Sequence, residues 1–203
     1  IVLMSHFYSF KGNAIQLKKF KDLEERCSSD EISVKKSLCN SGGMINYPAS
    51  QKDIVRPGIS MFGSRSNLKD KNIKLESVMT LKSKFISLKE IEKGEKVGYE
   101  GTWQAKKRTK IGILPVGYGD GYPINLSNCG KVLIKGKLAP VIGKVSMDMV
   151  AIDLSNISKI SYKDEVILWG KGHEVDTVAK YANNSSYTLM TGITNRVKKV
   201  YKL

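Results

Sequence analysis

His6, Asn40-Ser41 and Arg56 stand beside three apolar runs in the first third of a 203-residue sequence. Together they offer an imidazole that could move a proton, a hydroxyl followed by Gly42-Gly43, and a guanidinium. Gly42, Gly43 and Gly58 expose backbone N–H groups, which suits a phosphate. Farther on, Val97-Gly98-Tyr99-Glu100-Gly101 sets a tyrosine between glycines, which leaves space for another molecule beside the phenol. Val145-Ser146-Met147-Asp148-Met149-Val150 puts a carboxylate inside an apolar run, where a charge requires a partner. Each residue also has a plainer reading. His6 could be a hydrogen-bonded core histidine, Ser41 a turn former and Arg56 an ion-pair partner. Tyr99 could pack over its turn, and Asp148 could be a satisfied structural carboxylate.

Better-known arrangements are absent. There is no Walker A loop. Gly117-Tyr118-Gly119-Asp120-Gly121 has Tyr122 where a dinucleotide fingerprint needs its third glycine. The only histidines are His6 and His173, and neither belongs to an HExxH motif.

The elements that must carry these groups change character along the chain. Residues 1 to about 63 alternate strand and helix. Ile1–His6 reads as a strand, and Ala14–Glu25 as a helix with Ile15, Leu17, Phe20 and Leu23 near helical spacing. Ile32–Leu38 reads as the next strand and Asn40-Ser41-Gly42-Gly43 as a break. Arg56-Pro57-Gly58 reads as a turn, followed by a third strand at Ile59–Phe62. This order implies a parallel sheet, in which strand C-termini share one face and build the site. After about residue 75, strands dominate: Ser77–Ile86, Lys110–Val116, Lys131–Ile134, Val145–Leu154 and Glu165–Trp169. Helical stretches at Glu174–Ala182 and around Tyr187–Ile193 follow, then a last strand at Asn195–Tyr201. The boundary is expected in the polar stretch Ser64–Lys74, giving domains of about 1–70 and 71–203. The fold class is therefore α/β followed by mostly β.

Composition narrows the function classes. Hydrophobic residues make up 41% and charged residues 26% of the chain, as in globular proteins. No apolar run approaches a membrane span, the best being Ile111 to Val116. The net charge of +15 would suit a nucleic-acid or anionic partner, but only Arg26, Arg56, Arg65, Arg108 and Arg196 are arginines. A lysine-biased solvated surface is the simpler account. Cys27, Cys39 and Cys129 are odd in number and far apart, which argues against a zinc site and for a reducing, cytoplasmic compartment. No signal peptide is visible. The sequence starts within an apolar run, Ile1-Val2-Leu3-Met4, so the chain is expected to be the C-terminal part of a longer protein.

The motifs add up to a family. Leu3-Met4-Ser5-His6-Phe7, Asn40-Ser41-Gly42-Gly43 and Asp53-Ile54-Val55-Arg56-Pro57-Gly58-Ile59 come first. Val97-Gly98-Tyr99, Pro115-Val116-Gly117-Tyr118-Gly119-Asp120-Gly121-Tyr122-Pro123 and Gly143-Lys144-Val145-Ser146-Met147-Asp148-Met149 follow. Tyr187 and Thr194-Asn195-Arg196-Val197 close the series. In that order they closely resemble the alanine racemases, over essentially the whole chain. The resemblance implies the end of a pyridoxal 5'-phosphate (PLP)-binding (β/α)8 barrel, the TIM-barrel architecture, plus a C-terminal β-rich, barrel-like domain. It also implies a homodimer with a composite active site, no nucleic-acid or membrane partner, and a supply of D-alanine for bacterial peptidoglycan.

The roles implied by the resemblance are as follows. Tyr99 is one of two bases, supported by His6 and Arg56, and Arg56 faces the cofactor's ring nitrogen. Ser41, Gly58, Ile59 and Tyr187 hold its phosphate, Gly58 and Ile59 through backbone N–H. The Met147 N–H meets the substrate carboxylate, and Tyr118 stands at the channel mouth. Asp148 is expected at the dimer interface, and no metal is implied. The family's cofactor-binding lysine has no match here, so the 203 residues alone are expected to be inactive. Three other readings stay open: a related PLP racemase acting on serine, lysine or several amino acids, a non-catalytic basic β domain that binds nucleic acid, and an inactive remnant with no partner half.

Overall fold

The computed structural model describes residues 1–9, 13–27, 33–70 and 72–201. The chain divides into two compact units, Ile1–Val78 and Met79–Leu203.

In the first unit β1 (Val2–Met4), β2 (Lys35–Asn40) and β3 (Ile54–Arg56) form a parallel sheet in the order β1-β2-β3. Helix α1 (Asn13–Cys27) connects β1 to β2, and the short α2 (Ser41–Asn46) follows β2 directly. The core beneath is small, with Phe7, Phe20, Leu38 and Cys39 buried together. Phe20 is the one residue of α1's apolar spacing that is fully inside; Ile15 is 71% exposed. Register then decides the site. Met4 pairs with Ser37 and Ser37 with Ile54, while Asn40 stands opposite Arg56. The Asp53 carboxylate accepts the Lys36 N–H at 2.8 Å, which helps hold β3 to β2.

Three expectations for this unit need correction. The strand expected at Ile32–Leu38 ends instead at Asn40, and Ile32 lies outside the described residues. The break at Asn40-Ser41-Gly42-Gly43 does end β2, but it opens a helix at once, because Asn40 caps α2: its Oδ1 accepts the Gly43 N–H at 3.0 Å. Arg56 ends the third strand rather than preceding it. Ile59–Phe62 is a 3-10 turn, closed by Met61 N–H to Gly58 O and Gly63 N–H to Ser60 O, with Gly63 at φ 88°. Left-handed Gly63 ends the turn as only glycine readily does.

The second unit is built on seven antiparallel strands. They are β4 (Leu81–Lys84), β5 (Ser87–Ile91), β8 (Thr109–Leu114), β9 (Lys131–Ile134), β10 (Lys137–Ile142), β11 (Val150–Asp153) and β12 (Glu165–Trp169). Their order is β4-β12-β9-β10-β11-β8-β5, with β6 (Lys96–Val97) and β7 (Trp103–Gln104) as a separate hairpin. The two edge strands, β4 and β5, are separated in sequence only by Phe85 and Ile86. Two residues span about 10 Å at most, so the sheet must curl until its edges almost meet, as a barrel-like domain requires. Helices α3 (Val175–Tyr181) and α4 (Ser186–Thr191) pack on it. Its core includes Leu114, Ile134, Ile152, Leu168 and a stacked Tyr122–Trp169 pair with ring centroids 6.1 Å apart. Tyr122 thus belongs to the core, where burial raises its phenol well above the ordinary value.

Here the sequence-based expectations fail at turns. The strand expected over Ser77–Ile86 is only Leu81–Lys84, and β5 follows it. Strand β10 contains Pro140, a residue that usually argues against a strand interior. It is joined to β9 by Lys135 (φ 48°) and Gly136 (φ 76°), the two left-handed residues of a tight hairpin. Residues 145–149 are not a strand. Ser146 folds them into a turn, with its N–H on Met149 O and the Met149 N–H on its Oγ, both at 3.0 Å. The expected last strand, Asn195–Tyr201, is absent among its described residues. Val197 N–H instead closes a turn on Thr194 O at 3.3 Å.

His173 is buried in this unit, with Nε2 2.9 Å from Lys131 O. Burial pushes its pKa below the usual histidine value, against smaller opposing effects of the Lys131 carbonyl and the Glu174 charge. The unfolded chain therefore binds this proton more readily. The stability it contributes is present above the ordinary value of about 6.5 and is lost as pH falls below it. Thermal unfolding followed from pH 7.5 to 5 is expected to show a falling midpoint, with a smaller fall in His173→Gln.

Candidate functional site

The C-terminal ends of β1, β2 and β3 gather one cluster. Arg56 reaches back across the sheet and donates to Ser37 Oγ, to Ser5 O at 2.6 Å and to Leu38 O at 3.3 Å. Its Nη2 also lies 3.3 Å from His6 Nδ1, and Asn40 Nδ2 lies 3.1 Å from His6 Nε2. A neutral imidazole can accept from only one of these two donors; the other ring nitrogen keeps its proton. No ion pair among the described residues includes Arg56. The guanidinium is thus oriented by neutral acceptors and keeps its full charge for another group.

Next to it, the buried Ser41 Oγ accepts N–H groups from Gly58 at 2.7 Å and Ser60 at 3.4 Å. The expectation of open glycine N–H groups therefore needs correction at two positions. The Gly58 N–H is taken by Ser41 Oγ, and the Gly43 N–H by Asn40 Oδ1. Ile59 opens the 3-10 turn, so its N–H precedes the turn's internal bonds. A side-chain carbon on Gly58 would meet only Ser41 Oγ, at 3.9 Å, so the space before this corner is open. Hydroxyl, backbone donors and clear space are the donor set a phosphate ester requires.

The second unit has a cleft of about 920 Å³ that brings together Tyr99, Tyr118, Lys144, Ser146, Met147 and Asp148. Tyr99 is 71% exposed on a strained turn. Gly98 has φ 77° and ψ 176°, Glu100 has φ 61° and Gly101 has φ 56°. The Glu100 carboxylate is paired with Lys144 Nζ at 2.5 Å. Met147 and Asp148 are exposed on the Ser146 turn. Asp148 is therefore not a charge buried in a strand, and its position needs no compensating partner. Tyr187 does not line this cleft; it sits on α4, half-exposed. Ser37, Lys144 and the Asp120–Arg196 pair were not singled out by residue type. A serine inside the run Lys35–Cys39 was the available signal for Ser37.

The Gly98 backbone lies in a region open essentially to glycine alone, and an added carbon would approach Lys144 N to 2.8 Å. Gly98→Ala is expected to destabilise the second unit by about 1–3 kcal/mol. A lowered urea midpoint together with a displaced Tyr99 ring in the variant's structure would check it.

Among the described residues, no helix is long and apolar enough to cross a membrane, and no group of three or more His, Cys, Asp or Glu side chains could hold a metal. Residues 78–201 match the model of the alanine racemase C-terminal domain, and residues 1–66 that of the alanine racemase N-terminal domain. The alanine racemase of Vesicomyosocius okutanii is 42% identical over 201 residues, covering 96% of this chain and 55% of the relative. The crystal structure of biosynthetic alanine racemase from Pseudomonas aeruginosa matches with a TM-score of 0.89 at 36% identity, over 100% of this chain and 57% of that one. That of alanine racemase from Bartonella henselae, with covalently bound pyridoxal phosphate, matches at 0.91 and 26% identity, over 99% and 56%. The chain spans about half the length of the curated relatives it matches.

Proposed function

The chain belongs to the alanine racemase family, and on that premise we propose that the complete enzyme interconverts L- and D-alanine with PLP. The observation that carries this reading is the Arg56–His6 contact at the ends of the parallel strands. It is a fixed positive charge, held by neutral acceptors and joined to a group that can relay a proton. When bound, PLP supplies the electron sink that makes the substrate α-proton removable.

The chain's own residues divide the remaining work. Ser41, the N–H groups of Gly58 and Ile59, and Tyr187 would hold the phosphate; Gly58 would turn its N–H from Ser41 Oγ toward it. Arg56 would face the ring nitrogen, and because a guanidinium does not give up its proton, that nitrogen would stay unprotonated. This disfavours side reactions such as transamination. Tyr99 would take or return the α-proton on one face. A phenol is a poor base near neutral pH, so Tyr99 needs donors and positive charge nearby to act as one. His6 backed by Arg56 would supply both.

In this reading Tyr99, Tyr118 and Met147 reach into the barrel of a second copy, so activity requires a homodimer. The exposed strand residues Val2, Met4, Ile54 and Val55 support a larger barrel around the first unit. The second base is a lysine from the barrel, and the 203 residues alone are inactive. The product would feed bacterial peptidoglycan in the cytoplasm.

The test is circular dichroism of L-alanine incubated with the complete protein and PLP. Decay of the signal toward the racemic value is expected. A faster decay with L-serine or L-lysine would move the assignment to a related racemase. No decay with any amino acid, together with salt-sensitive binding of DNA or RNA, would overturn it.

A further inference from the structure

The Gly117–Gly121 turn carries Tyr118, yet its neighbours belong to two other segments. On one side it is bonded to the Ser146 turn: Tyr118 N–H donates to Ser146 O at 3.0 Å, and Gly119 N–H to Met147 O at 2.8 Å. On the other side it is bonded to the segment after α4. Thr194 N–H donates to Asp120 O at 3.2 Å, and Thr194 Oγ1 to Gly119 O at 2.9 Å. Arg196 Nε lies 3.2 Å from Asp120 Oδ1, while Asp120 Oδ2 accepts the Gly117 N–H at 2.9 Å. Asp120 is buried. Its carboxylate therefore ties the turn's first residue to a cation from a distant part of the sequence.

The glycines show how close the packing is. A side-chain carbon on Gly119 would approach Arg196 Nη1 to 2.5 Å and Met147 O to 2.9 Å. One on Gly117 would run into Ser146 O, and one on left-handed Gly121 into Gly192 O. Three segments thus meet with no room for a side chain between them. Ile193 and Val197, on either side of Thr194 and Arg196, pack against the core, which gives the clamp a fixed base.

Peptide geometry connects this clamp to the cleft. Ser146 C=O and Met147 N–H belong to one planar trans peptide, so they point in opposite directions. With Ser146 O held by Tyr118 N–H, the Met147 N–H is directed away from the turn. Where the turn sits therefore sets where that donor aims.

We propose that Arg196 is a positioning residue: through Asp120 it fixes the Gly117–Gly121 turn, and through the turn it aims the Met147 N–H and places Tyr118. This rests on the proposed racemase reading, in which those two groups meet the substrate. Tyr99 stands on a different turn, so the clamp governs substrate binding more than proton transfer.

The experiment uses the complete dimeric enzyme and the variants Arg196→Gln, Arg196→Lys and Thr194→Val. Arg196→Gln is expected to raise KM for alanine at least fivefold with kcat changed less than twofold. Arg196→Lys should recover part of the loss, because an ammonium can still pair with Asp120. Thr194→Val should shift KM in the same direction by a smaller factor, and it serves if Arg196→Gln does not fold. Amide hydrogen exchange supplies a readout that needs no activity: exchange at Gly119 and Gly117 should speed up at least tenfold in Arg196→Gln. An unchanged KM with unchanged exchange would overturn the proposal, as would a fall in kcat alone. If the unaltered enzyme fails to racemise alanine, the functional reading falls, while the exchange data still decide whether the clamp exists.

Discussion

In the complete enzyme proposed above, Tyr99→Phe is expected to slow alanine racemisation by a factor on the order of 10² to 10⁴ in at least one direction, the usual contribution of a positioned general acid or base. The substitution removes one hydroxyl from a ring that is 71% exposed on its turn, so folding and cofactor binding should be unaffected. The left-handed backbone at Gly98 and Glu100 sets where the ring stands, and neither residue is altered. Initial rates in the L-to-D and D-to-L directions, with PLP content read from its absorbance, provide the test. Near-normal rates both ways would remove Tyr99 from the mechanism.

Arg56→Glu is expected to be nearly as damaging, for two separable reasons. The guanidinium satisfies Ser5 O, Leu38 O and Ser37 Oγ. A carboxylate would turn acceptors toward those carbonyl oxygens and leave them without donors. The cost to the first unit is on the order of 3 kcal/mol, at about 1–3 kcal/mol for each buried group left unpaired. The second reason is chemical. If Arg56 faces the cofactor's ring nitrogen as proposed, a carboxyl group there would share a proton with it, which a guanidinium does not, so transamination should compete with racemisation. Urea unfolding measures the first effect, and release of pyruvate from alanine measures the second. Arg56→Lys separates them, because it keeps the charge but loses the fork that reaches several acceptors at once. An Arg56→Glu enzyme as stable and as selective as the original would refute both.

The sequence carried some of this plainly and some of it not at all. Apolar spacing located α1 and β12, and the change from strand–helix alternation to dense strands marked the second fold. Long-range partners were invisible. Nothing local says that Asn40 turns its side chain back to cap α2, or that Ser146 closes a turn within an apolar run. In both cases a short polar side chain competes for backbone groups that the apolar pattern assigns to a loop or a ladder. Pro140 conceals β10, because proline cannot donate to a ladder, and only the glycine of Lys135-Gly136 marks the hairpin before it. For the candidate site, motifs pointed to Tyr99, His6 and Arg56, and the structure puts His6 against Arg56 and Tyr99 in the cleft. Register alone put Asn40 opposite Arg56, and the pairing of Asp120 with Arg196 spans too much sequence for any spacing rule.

Both tryptophans, Trp103 and Trp169, lie in the second unit, and Trp169 is fully enclosed beside Tyr122. Intrinsic emission excited at the indole band is therefore a private reporter for the β-rich half, blind to the parallel strands. Far-ultraviolet ellipticity sees both halves. Superimposed melting curves from the two signals would mean that the halves melt as one cooperative body, and separated curves would give each its own transition without any label.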